Sequence, residues 1–318
     1  MKRVVLIGGS GFVGKAIANR LSEAGINLLV PTRRRSRAAH LLVLPTIEVV
    51  EANVFEPQTL ERMLNGADAV VNLVGVLHSR SGEPYGPDFA RAHVELPRLI
   101  AEACVKVGVP RLIHVSALGA AADGPSEYQR SKAAGEAAIM AHDGLGWTIL
   151  RPSVIFGRDD SFLNLFANLA RLFPILPLAG AGARFQPVYV EDVARVALHC
   201  LAHPETAGQI HELAGPTVYT LRELVTYVCS LIGKRRMIVP IPESAAMIQA
   251  RLMELAPQPL MSRDNVRSMR ADNVASGEPM PFGFEPTPLE TVAPAYIGQR
   301  SLRASYYPSR TRARRSAD

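Results

Sequence analysis

The chain has 318 residues, enough for one large domain and a smaller lobe. With 48% hydrophobic and 20% charged residues it has the composition of an ordinary folded protein, which excludes global disorder. The net charge of +6 does not mark a nucleic-acid binder, because residues 299–318 hold six arginines against one acid and the rest of the chain is close to neutral.

Val4–Ile7 reads as a buried strand, Gly8–Gly14 as a glycine loop, Lys15–Glu23 as a helix with Ile17 and Leu21 on one face, and Asn27–Val30 as the second strand. The alternation continues with strand Ile47–Val50, helix Gln58–Leu64 closed by Asn65-Gly66, and strand Ala69–Val74. A long helix is expected over Asp88–Val107, then strand Leu112–Val115, helix Tyr128–His142 and strand Trp147–Leu150, with Trp147 packing into the core. Strands alternating with helices predict an α/β fold, a doubly wound parallel sheet of Rossmann type. Beyond about Arg151 the pattern is less regular and suggests a smaller C-terminal lobe, with Glu278–Pro288 as loop. The expected division is 1–155 for a dinucleotide-binding core and 156–298 for a lobe interleaved with the core's carboxyl edge. Residues 299–318 are expected to form a flexible basic tail, solvated or docked on anionic lipid or an acidic partner.

Cys104, Cys200 and Cys229 are widely spaced, so neither a disulfide framework nor a metal site is indicated, and a reducing compartment fits. The four apolar residues before Gly8 are too few for a signal peptide. The apolar stretch Phe162–Ala183 is broken by Arg171, Pro174 and Pro177 and is not a membrane span. A cytoplasmic, non-secreted protein is expected.

Gly8, Gly9, Ser10, Gly11, Phe12, Val13 and Gly14 form a GxxGxxG loop between strand and helix. Such a loop gives a tight turn, brings backbone against a pyrophosphate, and offers the helix N-terminus to its charge. The second strand ends in Thr32, Arg33 and Arg34 with no acid to bind a ribose 2′-hydroxyl. Arginines there suit a 2′-phosphate, so NADP(H) is expected over NAD(H), which stays open. Tyr128 and Lys132, four apart, share a helix face. A lysine ammonium there can bind a ribose and lower the tyrosine pKa, and the phenol can exchange a proton with a carbonyl or alcohol. Ser116, after the fifth strand, can hydrogen-bond the same oxygen. His78 is expected in a surface loop, and Glu191 and Asp192 are expected to fix loops by hydrogen bonds rather than catalyse.

These residues resemble the extended and atypical short-chain dehydrogenase/reductases. The stretch Arg151–Gly157 resembles that superfamily's RPxxxxG element, and Gln186–Ala194 its VxDVA element. The resemblance spans roughly residues 1–215. It implies cofactor contacts from Leu73, Val74 and Gly75, from Pro152, Ser153 and Val154, and from Asn53 and Val54, where Ala52-Asn53 replaces the family's usual Gly-Asp. Within the group the chain is similar to the subfamily of the Rossmann-type accessory subunit of respiratory complex I. The pointers are the opening GGSGFVG, the arginines after the second strand, Ser126–Glu136, and the late stretches Leu260–Val266 and Asp272–Val274. This implies a tightly held NADPH of structural or redox-sensing role, a respiratory-complex or membrane-surface partner, and a place at the inner membrane. The alternative is an active NAD(P)-dependent oxidoreductase or epimerase using Ser116, Tyr128 and Lys132.

Overall fold

A computed structural model describes residues 1–256, 259–277 and 279–298; Glu278 and the basic tail expected over 299–318 lie outside the described residues. The chain opens with β1 (Arg3–Ile7), α1 (Phe12–Glu23), β2 (Asn27–Thr32), β3 (Ile47–Glu51), α2 (Pro57–Leu64) and β4 (Ala69–Asn72). The short helix α3 (Pro87–Phe89), a π-helical turn (Ala90–Glu95) and α4 (Leu96–Val107) run on as one rod, followed by β5 (Arg111–Val115), α5 (Glu127–Met140) and β6 (Gly146–Pro152). Then come β7 (Ile155–Phe156), α6 (Phe162–Leu172), β8 (Ile175–Ala179), β9 (Arg184–Phe185), β10 (Val188–Tyr189) and α7 (Val190–Ala202). The chain continues through β11 (Gln209–Leu213), β12 (Tyr219–Thr220), α8 (Leu221–Leu231), β13 (Met237–Ile241), α9 (Glu243–Met253), α10 (Arg263–Ser268) and α11 (Leu289–Ile297).

Seven parallel strands form the central sheet in the order β11-β6-β5-β4-β1-β2-β3, so the strand order reverses between β1 and β4. Val4, Leu6, Val30 and Val71 pack on one face with Ile17 and Leu21 of α1 and Val193 and Ala197 of α7. Val5, Ile7, Val70 and Leu112 pack on the other with α2 and α4. Burial on both faces is why these strands read as apolar runs rather than as alternating ones. The expected strand Ala69–Val74 stops at Asn72. Leu73 N–H still donates to the Ile7 carbonyl at 2.9 Å, but the Asn72 side chain accepts from Val74 N–H at 3.2 Å and turns Val74 out of the ladder. β11 and α7 come from beyond residue 155 yet belong to the sheet layers, while α6, α8 and α11 build a separate apolar cluster that forms the C-terminal lobe. Trp147 lies on β6, partly buried against the second face. Glu191 pairs with Arg20 at 2.8 Å, and Asp192 accepts from Thr287 N–H at 2.7 Å, so both fix neighbouring segments. Among the described residues no helix is long and apolar enough to cross a membrane.

Candidate functional site

Three features place a crevice at the carboxyl edge between β1 and β4. The strand reversal opens it there. Gly8, at φ +84°, lies where an added Cβ would come within 3.1 Å of the Leu73 and Val74 backbone. Gly14 lets α1 run hard against the loop, for its Cβ would stand 2.5 Å from Gly9. Gly11 is the N-cap of α1 and offers no side chain to the first-turn N–H groups, and that turn carries no acid. A helix start left open in this way suits an anion. Ser10, Phe12 and Val13 are partly exposed along the same loop. These residues fit a dinucleotide pyrophosphate, since the cradle is one that side chains at Gly8 or Gly14 would fill.

Arg33 and Arg34 follow β2, exposed and without an ion pair among the described residues. Asn53, after β3, is already engaged: its amide oxygen accepts from Phe55 N–H at 3.2 Å and its NH2 donates to Glu56 at 2.9 Å. It therefore shapes the entry to α2, and one amide N–H and one oxygen lone pair remain for a base; Val54 beside it is partly buried.

At the other end of the crevice the structure brings Gly75, Lys132 and Tyr128 together. A capping box of Ser126 and Gln129 starts α5, which puts Tyr128 and Lys132 one turn apart on its inner face. The Lys132 ammonium sits 5.9 Å from the Tyr128 ring centre and donates to the Val115 carbonyl at 3.3 Å. Gly75 clears its path, since a Cβ there would be 3.4 Å from Lys132 Nζ. Ser116 follows Val115; it is 4% exposed, and its hydroxyl has no hydrogen-bond partner. Burial pulls the Lys132 ammonium down to about 8, partly opposed by Glu136. The Tyr128 phenol departs from the sequence expectation. Rather than being lowered by Lys132, it is pushed up to about 12 by burial, because desolvation of a phenolate outweighs a cation held on another partner.

Sequence reasoning missed His93, which the π-helical turn carries into this cluster. Its ring meets Tyr128 edge-on at 5.4 Å and stacks on Phe89 at 5.3 Å. Nε2 accepts from Val76 N–H at 3.0 Å, so Nδ1 bears the proton and donates to Ser131 Oγ, which donates to the Tyr128 carbonyl. Burial, with Lys132 nearby, drives His93 down to about 2, so it is a neutral wedge. The signal was a histidine at i+4 from Phe89 on an apolar face of the long helix.

The late stretches around Asp264 and Asn273 reach back to the same place. Asp264 accepts from Glu127 N–H at 2.7 Å and Tyr128 N–H at 3.0 Å. Asn273 accepts from Ser153 Oγ at 2.6 Å and Val154 N–H at 3.0 Å, and donates to the Leu118 carbonyl at 3.2 Å. Polar groups of Ser153 and Val154 are thus engaged by Asn273, with Pro152 beside them at the end of β6. His78 is half-buried and its Nδ1 lacks a partner, so it is not the surface loop residue expected.

A glycine cradle at a strand reversal, with Ser116, Tyr128 and Lys132 on the same edge of the sheet, defines a Rossmann-type dinucleotide-binding protein. The chain belongs to the NAD dependent epimerase/dehydratase family, which it matches over residues 4–214. It is similar to a mitochondrial NADH dehydrogenase (ubiquinone) 1 alpha subcomplex subunit 9 of Rattus norvegicus, 32% identical over 90% of this chain and 77% of the relative. It is also similar to a ceramide reductase of Caulobacter vibrioides, 28% identical over 79% of this chain and 77% of that protein. In fold it resembles DesIV, a dTDP-glucose 4,6-dehydratase from Streptomyces venezuelae solved with NAD bound. The TM-score is 0.71 at 20% identity, covering 97% of this chain and 98% of that one.

Proposed function

We propose that the crevice holds NADP(H) as a retained structural or redox-sensing group, the reading suggested by similarity to the respiratory-complex subunits. The observation that carries it is the clamp of Asp264 and Asn273, side-chain bonds, buried at Glu127 and part-buried at Ser153, that tie the start of α5 and the Ser153 loop to the C-terminal lobe. Ser116 and Lys132 are each only 4% exposed behind it, which favours a held ligand over an exchanging one. Gly8 to Gly14 and the start of α1 bind the pyrophosphate, Arg33 and Arg34 the 2′-phosphate, and Asn53 and Val54 flank the adenine. Leu73, Val74, Gly75 and Lys132 take the ribose of the nicotinamide end, and Pro152, Ser153 and Val154 line its ring. A respiratory-complex surface or a membrane surface is the partner class this reading implies.

A second reading, an active oxidoreductase or epimerase, is favoured by the Ser116 hydroxyl, which is buried without a partner and suits a substrate oxygen. When bound, the dinucleotide supplies the hydride donor or acceptor. Tyr128 then gives or takes the proton at that oxygen, and Lys132 holds charge beside it. The protein is purified without added cofactor, its bound dinucleotide is identified, and turnover is tested on carbonyl substrates and quinones. NADPH that neither exchanges nor is oxidised supports retention. Exchangeable cofactor, with hydride transfer falling about 100-fold or more in Tyr128→Phe, overturns it in favour of an enzyme.

A further inference from the structure

The C-terminal lobe carries a second surface that the dinucleotide reading does not use. A cleft of about 360 Å³ is lined by Arg222, Lys234, Arg235 and Arg236 together with the hydroxyl residues Thr226 and Ser230. Arg236 spends one N–H on the Ala170 carbonyl at 2.6 Å and Arg222 one on the Ile238 carbonyl at 3.3 Å, so each guanidinium keeps free donors. The Lys234 and Arg235 side chains are exposed, and none of the four forms an ion pair among the described residues. No acid occurs in residues 161–190 or 224–242, the two stretches that build this face. The four carboxylates that flank these stretches are engaged: Asp160 with the Tyr296 hydroxyl, Glu191 with Arg20, Glu223 in the cap of α8 and Glu243 with Arg270.

Beside these cations lies exposed apolar surface. β8 and β13 pair in register, Ile175 opposite Met237 and Pro177 opposite Val239, and all four point away from the lobe's core. Leu172 and Phe173 lead into β8 at 75% and 51% exposed, and Met237 is 63% exposed. The same ribbon face is covered further along, where Ala179 and Ile241 pack on Ala246 and Ala250 of α9. The opposite, outward side of α9 presents Ile248 and Leu252. Isolated exposed apolar residues are ordinary, whereas a contiguous run rimmed by cations marks a surface that meets something.

We propose that this face docks on an anionic bilayer, with lipid phosphates taken by the cationic cleft and Leu172, Phe173 and Met237 seated among the upper acyl chains. The pairing of chemistries decides between partners. An acidic protein would satisfy the cations but leave the apolar ribbon unexplained, while a lipid surface offers both phosphates and hydrocarbon within one side-chain length. The inference deepens the membrane-surface partner of the proposed function, but its test needs neither the retained cofactor nor the basic tail.

The full chain is floated with phosphatidylcholine vesicles with and without phosphatidylglycerol. Binding is expected only with phosphatidylglycerol and should weaken with salt. Lys234→Glu/Arg235→Glu should weaken it by about 30-fold or more, the effect of at least two cations near an anionic surface. Leu172→Ser/Phe173→Ser should weaken it by about 10-fold with less salt dependence. An otherwise intact chain with Arg310, Arg312, Arg314 and Arg315 changed to Gln should still bind. Unchanged thermal unfolding and dinucleotide content report that each variant is folded. Equal binding to both vesicles, no binding to either, loss in the tail variant alone, or binding of inorganic phosphate without vesicles overturns the proposal.

Discussion

Asp264 gives the sharpest test of the clamp. The first four N–H groups of a helix have no partner inside it. In α5 Ser126 N–H goes to Gln129 Oε1 and Gln129 N–H to Ser126 Oγ, so Glu127 and Tyr128 rely on Asp264 alone. The carboxylate is buried and comes from 137 residues further along the chain. Asp264→Ala strands two donors in a buried place and removes a negative charge from the positive end of the helix. Each stranded donor costs about 1–2 kcal/mol and the lost charge a fraction of that, so about 3 kcal/mol is expected. Asp264→Asn keeps one acceptor and should cost about half as much. For a chain of this size the first loss lowers the melting temperature by about 5–10 °C. Urea unfolding of wild type and both variants, with retained dinucleotide counted in parallel, reads the effect. Asp264→Ala within about 0.5 kcal/mol of wild type would refute the assignment of those two donors to Asp264.

Gly14→Ala places a Cβ 2.5 Å from the Gly9 backbone, which cannot rotate away. It should cost about 2–3 kcal/mol in denaturant unfolding and empty the purified protein of dinucleotide. His93 stays neutral when folded down to about 2 but takes a proton near 6.5 when unfolded. The unfolded state therefore binds more protons between these values, and wild-type stability falls as pH drops below 6.5, by up to about 1.4 kcal/mol per pH unit from this group. His93→Gln removes that slope, so the gap between variant and wild type should narrow from pH 7 toward pH 4; parallel unfolding curves would exclude it. Arg33→Ala and Arg34→Ala should each weaken NADPH binding by about 10-fold and leave NADH binding unchanged in calorimetric titrations. Lys132 has the inverse window to a lysine whose pKa an ion pair raises. Its ammonium is held down to about 8 in the fold against 10.5 outside it, so dinucleotide-free protein should gain stability from pH 8 to 10.5 relative to Lys132→Met.

Short-range physics made much of this protein legible from its residues. The βαβ opening, the glycine cradle and the spacing of Tyr128 and Lys132 depend on neighbours within a few positions. Turn chemistry and helical periodicity report these directly. The strand limits were read to within about two residues, and the one clear overrun, Val74, came from an asparagine that bonds its own backbone two residues on. The resemblance carried the family and marked the stretches around Asp264 and Asn273, without saying what they touch. Only the tertiary structure decided that. Asp264 meets α5 across 137 residues and Asn273 meets Ser153 across 120, separations at which sequence pattern holds no distance information. It also decided the electrostatics of the site. The same Tyr128 and Lys132 that spacing pairs as a lowered phenol and its cation are shifted by burial in opposite senses, up and down, because desolvation depends on every atom packed around them, His93 among these, and not on the four-residue step between them.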